Sequence, residues 1–220
     1  MCGRYTVTNP EQIALRFDVE QPPHVEATYN AAPSEQLPVI VEHDGQRAMH
    51  LFRWGLVPHW AKDPQAGFNM MNARAETVAE KPAYRMPLRR QRCLVPASGF
   101  FEWKTTVEGK RPYYIHLKDD DLFAFAGLYD TWHDAQGRSL ETYTVITTAA
   151  NSLLAPLHER MPVILPRDVE ALWLDPEIQD ASLLCPLLCP YPADQMAAYE
   201  VSRRVNSVRH NDASLLAAAS

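Results

Sequence analysis

The chain has 220 residues, 46% of them hydrophobic and 22% charged, enough for one well-cored domain that folds alone. Its 21 Lys+Arg against 27 Asp+Glu leave a net charge of -6. That balance excludes a protein that coats nucleic acid by bulk electrostatics, so any nucleic-acid site must be a local basic patch.

In chain order, apolar alternation predicts a strand over 4–8 and then a helix over 10–17, opened by an Asn9 cap with Pro10 in its first turn. Strands follow over 37–42 and 49–54. A helix over 81–90 is expected to be kinked or broken at Pro87. Strands are then predicted over 93–103, 113–117, 122–129, 143–148 and 163–165, with an amphipathic helix over 166–173. The 18 prolines scatter between these segments and mark turns. The expected architecture is α+β, a single β-rich domain with a barrel-like or two-sheet core and a few peripheral helices. It spans 1–205, and the polar, then alanine-rich stretch 206–220 reads as a loosely ordered tail.

Two basic runs stand out: Arg85, Arg89, Arg90 and Arg92, and then Arg203, Arg204, Arg209 and His210. For each, a solvated charged face is the commoner reading. The four cysteines, Cys2, Cys93, Cys185 and Cys189, lack the paired spacing of a zinc site, so no metal and no cofactor is expected. With no export signal and no run long enough to span a membrane, the expectation is a cytoplasmic monomer with free thiols.

The start Met1-Cys2-Gly3-Arg4-Tyr5 carries specific chemistry. Removal of Met1, usual before a small second residue, would leave Cys2 with a free amine beside its thiol. A terminal amine has a pKa of ~7.7–8 against ~10.4 for lysine, so far more of it is nucleophilic at neutral pH. Such an aminothiol condenses with an aldehyde to an imine, and the sulfur can then close a thiazolidine ring. The alternative is an ordinary buried cysteine near a start codon.

Further blocks follow: Tyr29-Asn30-Ala31-Ala32-Pro33, Arg53-Trp54-Gly55-Leu56-Val57-Pro58, Asn72-Ala73-Arg74-Ala75-Glu76-Thr77 and Ser98-Gly99-Phe100-Phe101-Glu102-Trp103-Lys104. Leu157-His158-Glu159-Arg160-Met161-Pro162 and Val201-Ser202-Arg203 complete the set. Together, in this order, they resemble the SRAP family, the SOS response associated peptidases that shield abasic sites in DNA.

The resemblance implies that mature Cys2 crosslinks to the ring-opened abasic sugar, with single-stranded DNA as the expected partner. It implies that Asn72 orients the reacting groups, an amide being able to donate and accept without changing charge. Glu102 takes the part of general acid/base, its flanking aromatics expected to desolvate the carboxylate and raise its pKa. His158 is expected to assist ring opening and reversal. Arg4, Arg74 and Arg160 correspond to phosphate-binding positions, and Thr147 to a backbone contact. Pro33 and Trp60 correspond to a wedge that replaces lost base stacking. His59-Trp60-Ala61 stands where some relatives carry two adjacent aromatics, and there is extra sequence before Asn72. Amino-terminal autoprocessing and abasic-site lyase activity are further implications.

Local readings compete with these roles. Glu102 also fits a surface carboxylate on an edge strand, His158 a loop residue, and the arginines internal braces, Arg74 with Glu76 above all. A rival for the whole chain is an amino-terminal-nucleophile glutamine amidotransferase, which also begins Met-Cys-Gly and forms a thioester. A third reading is a noncatalytic protein-binding domain.

Overall fold

The computed structural model describes residues 2–119 and 122–219. Met1, whose removal the aminothiol chemistry requires, and Ser220, the end of the predicted tail, lie outside the described residues. The fold is α+β, as expected, and both core descriptions apply: a closed barrel and a second sheet.

The barrel begins with the hairpin of β3 (Gln36–His43) and β4 (Gln46–Trp54). Asp44 and Gly45 both take positive φ, 52° and 74°, which matches the primed turn that a two-residue hairpin loop needs. Residues β6 (Arg92–Ala97), β9 (Phe123–His133) and β10 (Ser139–Ala149) extend the sheet in the order β10-β4-β3-β6-β9. Pairing of β9 with β10 closes the ring. One seam is parallel, with Tyr143 of β10 opposite Trp54 of β4. Beyond β4, the short strand β5 (Asn72–Arg74) continues along the same edge of β10. The opposite edge passes from β9 to β11 (Arg160–Pro162), while β12 (Ile164–Leu165) pairs with β9.

The second sheet has the order β13-β8-β7-β1-β2. It contains β1 (Tyr5–Val7), β2 (Thr28–Ala31), β7 (Gly99–Thr106), β8 (Gly109–Leu117) and β13 (Met196–Glu200). The single strand predicted over 93–103 is therefore two, divided at Ser98, which carries the chain from barrel to sheet. Ser98 is pinned there: its N–H donates to the Thr6 carbonyl at 2.8 Å, and its hydroxyl accepts from Thr8 N–H at 2.9 Å.

The helices are shorter than predicted. A 3-10 turn over Pro10–Gln12 precedes α1 (Ile13–Phe17), and Asn9 makes no side-chain cap; its carbonyl accepts from Gln12 N–H at 3.1 Å. In α2 (Arg85–Arg90), Pro87 lies in the first turn, where a missing N–H costs nothing, so the proline opens the helix and does not break it. A 3-10 turn over Arg167–Val169 precedes α3 (Glu170–Leu174), and α4 (Ala181–Leu184) follows it. Arg92, counted in the first basic run, is buried and joins helices to barrel. Its guanidinium donates to the carbonyls of Leu88 and Arg89 at 2.7 Å, Trp173 at 2.5 Å, and Asp175. Those carbonyls end α2 and α3, where no intrahelical donors remain. Among the described residues no helix is long and apolar enough to cross a membrane.

The stretch after Asn206 is not loose. Leu215 is fully buried in a cluster with Phe101, Tyr114, Val201 and Val205. The Tyr199 hydroxyl donates to the Leu216 carbonyl at 2.8 Å, and Ala219 N–H donates to the Glu200 carbonyl at 2.8 Å. Burial of Leu215 against these four side chains, with the two hydrogen bonds, overrides the polar and small-residue composition that suggested disorder.

The 57–71 loop depends on a close approach between two glycines. Gly55 has φ 120°, and a Cβ built on it would lie 2.5 Å from the Gly67 carbonyl oxygen. Gly55→Ala should therefore cost roughly 1–3 kcal/mol, read as a lower urea midpoint at unchanged slope. Leu215→Ala should cost roughly 2–4 kcal/mol in the same assay; a loss near zero would show that the tail packing is not stabilising.

Candidate active site

Cys2 enters the fold just ahead of β1, which lies between β2 and β7. Tyr5 is opposite Phe100, and Phe101 N–H donates to the Arg4 carbonyl at 3.0 Å. Continuing that antiparallel register sets the residues before Arg4 level with Glu102. Cys2 is fully buried, its Sγ 3.8 Å from the Arg4 carbonyl. Burial first, and the Glu102 charge second, push its thiol pKa far above the ordinary range.

The second sheet supplies Cys2 and Glu102, and the barrel side supplies their partners. Asn72 opens β5, held by parallel pairing with Val145 of β10. Its Nδ2 donates to the Cys2 carbonyl at 2.9 Å, while its Oδ1 is buried with no hydrogen-bond partner among the described residues. An orphaned buried acceptor costs roughly 1–3 kcal/mol, so the fold carries an unused hydrogen-bond site beside the cysteine. Deeper in, the Tyr5 and Tyr143 hydroxyls meet at 2.7 Å, joining β1 to β10.

Glu102 is 3% exposed, and one carboxylate oxygen accepts from Trp103 N–H at 3.3 Å. It lines a groove of about 540 Å³ together with Met71, Trp103, Lys110, Leu157 and His158. His158 sits in the turn before β11, where its Nδ1 accepts the Arg160 N–H at 3.0 Å. With Nδ1 accepting, the neutral ring carries its proton on Nε2. Thus Cys2, Asn72, Glu102 and His158 come together where the two sheets meet. The surface reading of Glu102 does not hold, because the carboxylate is buried.

The three arginines separate into different surroundings. Arg160 is a brace: its Nη1 and Nη2 grip Glu76 at 2.6 and 2.9 Å, and Nη2 also donates to the Thr147 carbonyl at 2.5 Å. The Arg160 hydrogen bond holds the Glu76 carboxyl below its usual range. The competing brace reading paired Glu76 with Arg74, which instead is exposed and makes no side-chain hydrogen bond among the described residues, though its charge also lowers the Glu76 pKa. Arg4 is also engaged internally, donating to Asn30 Oδ1 and the Val205 carbonyl at 2.9 Å each; burial lowers its pKa.

Thr147 is fully buried, and its hydroxyl donates to the Ala73 carbonyl at 3.2 Å. Trp60 is 58% exposed and lines a second cleft, of about 550 Å³, with Asn72, Arg74, Lys81 and Tyr84. Pro33 is partly exposed in the turn after β2 and lines neither cleft. Sequence reasoning missed Lys81, Tyr84, Trp103 and Lys110. Trp103 adjoins Glu102 in its block and was within reach; Lys81 and Lys110 look like any surface lysine. Among the described residues, no group of three or more His, Cys, Asp or Glu side chains is placed to hold a metal ion.

Residues 1–208 match the family model described as SOS response associated peptidase (SRAP). Abasic site processing protein YoaM of Bacillus subtilis is 46% identical, over 98% of this chain and 97% of its own length. Abasic site processing protein HMCES of Gallus gallus is 34% identical over 84% of this chain and 64% of its own. The crystal structure of a protein from Bacteroides thetaiotaomicron covers 99% of this chain and all of its own, at 30% identity and a TM-score of 0.91. Matched along its length in sequence and in fold, the chain belongs to the SOS response associated peptidase (SRAP) family.

Proposed function

We propose that this protein processes abasic sites in DNA by forming a covalent link between Cys2, once Met1 is removed, and the ring-opened sugar. The observation that carries this reading is the meeting of Cys2 with the Asn72 amide at 2.9 Å, beside a Glu102 charge that acts on its thiol. The amine nitrogen adds to C1 of the aldehyde and water leaves, giving an imine. The sulfur then adds to the same carbon while its proton passes, by way of Glu102, to the nitrogen. The product is a thiazolidine and one water. Where sulfur closure fails, the imine permits β-elimination of the 3′ phosphate, which is lyase chemistry.

Each neighbour has a task in this sequence. Asn72 holds the Cys2 backbone with its Nδ2 and offers Oδ1 to the amine or to the sugar hydroxyl. The Glu102 carboxylate relays the thiol proton, which burial otherwise holds on the sulfur. His158, on the same groove, serves the opening of the sugar ring through Nε2. A buried cysteine reaches C1 only if the nucleotide leaves the stack, which favours single-stranded substrate. Arg74, exposed beside the Trp60 cleft, is the arginine best placed for a phosphate, since Arg4 and Arg160 have internal partners. The amidotransferase reading gives no task to Asn72 Oδ1 or to the groove shared by Glu102 and His158.

Protein whose intact mass shows loss of Met1 should form a heat-stable adduct with an abasic single-stranded oligonucleotide on a denaturing gel and release no ammonia from glutamine. Cys2→Ala should abolish that adduct while leaving a borohydride-trappable imine; an undiminished heat-stable adduct would refute the thiazolidine assignment. Glu102→Gln should slow adduct formation by about 10²-fold or more. The same change removes an anion that raises the thiol pKa, so the thiol should titrate at lower pH than in the unaltered protein. Slower crosslinking with a more acidic thiol separates proton relay from simple thiol activation. Arg74→Ala should reduce the salt dependence of initial capture by about one phosphate contact, seen as a shallower plot of log affinity against log salt.

A further inference from the structure

We propose that Asp130 is the positioning residue for Trp60, fixing its indole at the mouth of the cleft that also holds Asn72 and Arg74; the inference rests on the DNA-capture reading above. The segment 57–61 is fastened at alternate residues, and the fastenings converge on the end of β9. Val57 N–H donates to the Thr142 hydroxyl at 2.8 Å, and that hydroxyl donates to the Asp130 carbonyl at 3.3 Å. His59 binds the Asp130 carboxylate twice, through its N–H at 2.9 Å and its Nδ1 at 3.0 Å, both to Oδ2. An ionised carboxylate only accepts, so His59 Nδ1 carries a proton here. The Ala61 carbonyl accepts from Trp132 Nε1 at 2.7 Å.

Asp130 itself is held firmly. It is 3% exposed, and its Oδ1 accepts from Thr131 N–H at 2.9 Å and Gln91 Nε2 at 3.5 Å. The turn closes on itself as Ala61 N–H donates to the Pro58 carbonyl at 2.8 Å. Backbone groups of Val57, His59 and Ala61 are thus tied to the barrel, and Trp60, between two of these ties, has 58% of its surface exposed. A large apolar ring held outward by a buried carboxylate is preorganised to stack on an unpaired base, without the ordering cost a free loop would bear. His59 is what makes the clip at this position, so a residue that adds no second aromatic surface instead steadies the one present.

Two measurements test this, and they can fail separately. In hydrogen exchange, Asp130→Asn replaces an acceptor with an amide, and exchange at the His59 and Ala61 amides should rise about tenfold or more; unchanged rates would overturn the clip. This arm does not depend on any activity. In adduct formation with the abasic oligonucleotide, Trp60→Ala should raise the half-saturating concentration about tenfold, and Asp130→Asn severalfold, with the rate at saturation moving less. In a Trp60→Ala background, Asp130→Asn should add nothing further; an undiminished effect there would overturn the positioning role. Should Asp130→Asn fold poorly, His59→Ala and Trp132→Phe remove one fastening each and should shift both readouts in the same direction. Absence of any adduct from the unaltered protein would count against the functional reading, while the exchange result would still decide the clip.

Discussion

The hydrogen bond from Asn72 Nδ2 to the Cys2 carbonyl crosses the boundary between the barrel and the second sheet, and the rest of the site is arranged around that crossing. Neither sheet contains the full set of groups. Cys2 and Glu102 arrive with β1 and β7, while Asn72 and His158 arrive with β5 and the turn before β11. Any shift of one sheet against the other would separate the cysteine from its amide. The Tyr5–Tyr143 hydroxyl pair and the edge-on contacts of Tyr5 with Trp54 and Phe125 resist such a shift from within the core.

The site is costly in the terms that apply elsewhere in the fold. A nearly buried carboxylate and, among the described residues, an acceptor with no partner at Asn72 Oδ1 both oppose folding. The surrounding structure offsets this with dense aromatic packing and with Arg92, which satisfies the carbonyl ends of two helices at once. Local disagreement between stability and residue choice, as at this seam, is the pattern expected where a protein does chemistry.

Much of this was legible in the residues. Alternating or continuous apolar runs located the long strands of both sheets, and the blocks around Cys2, Asn72, Glu102 and His158 pointed to groups that do converge. The division at Ser98 was hidden because every residue from Cys93 to Glu102 is buried, so the apolar run never pauses where the chain changes sheet. The short strands β5 and β11 carry too few residues for a period, and only their neighbours on β10 make them strands. Arg160 took the carboxylate assigned to Arg74 for a reason no local rule contains. Residues 74 and 76 are near in sequence, but Arg160 reaches Glu76 across Thr147 of β10. The tail misled through composition, since a few anchors such as Leu215 decide whether an otherwise polar segment packs.

Arg4 gives the architecture a temporal consequence. Its guanidinium closes on the Val205 carbonyl, a contact between residues 201 apart in the chain, and β1 is paired to β7 almost a hundred residues downstream. During synthesis β1 and its near partner β2 are made well before β7 and before the Val205 carbonyl that Arg4 closes on. The segment around Cys2 is therefore fully clasped only after residue 205 has been made.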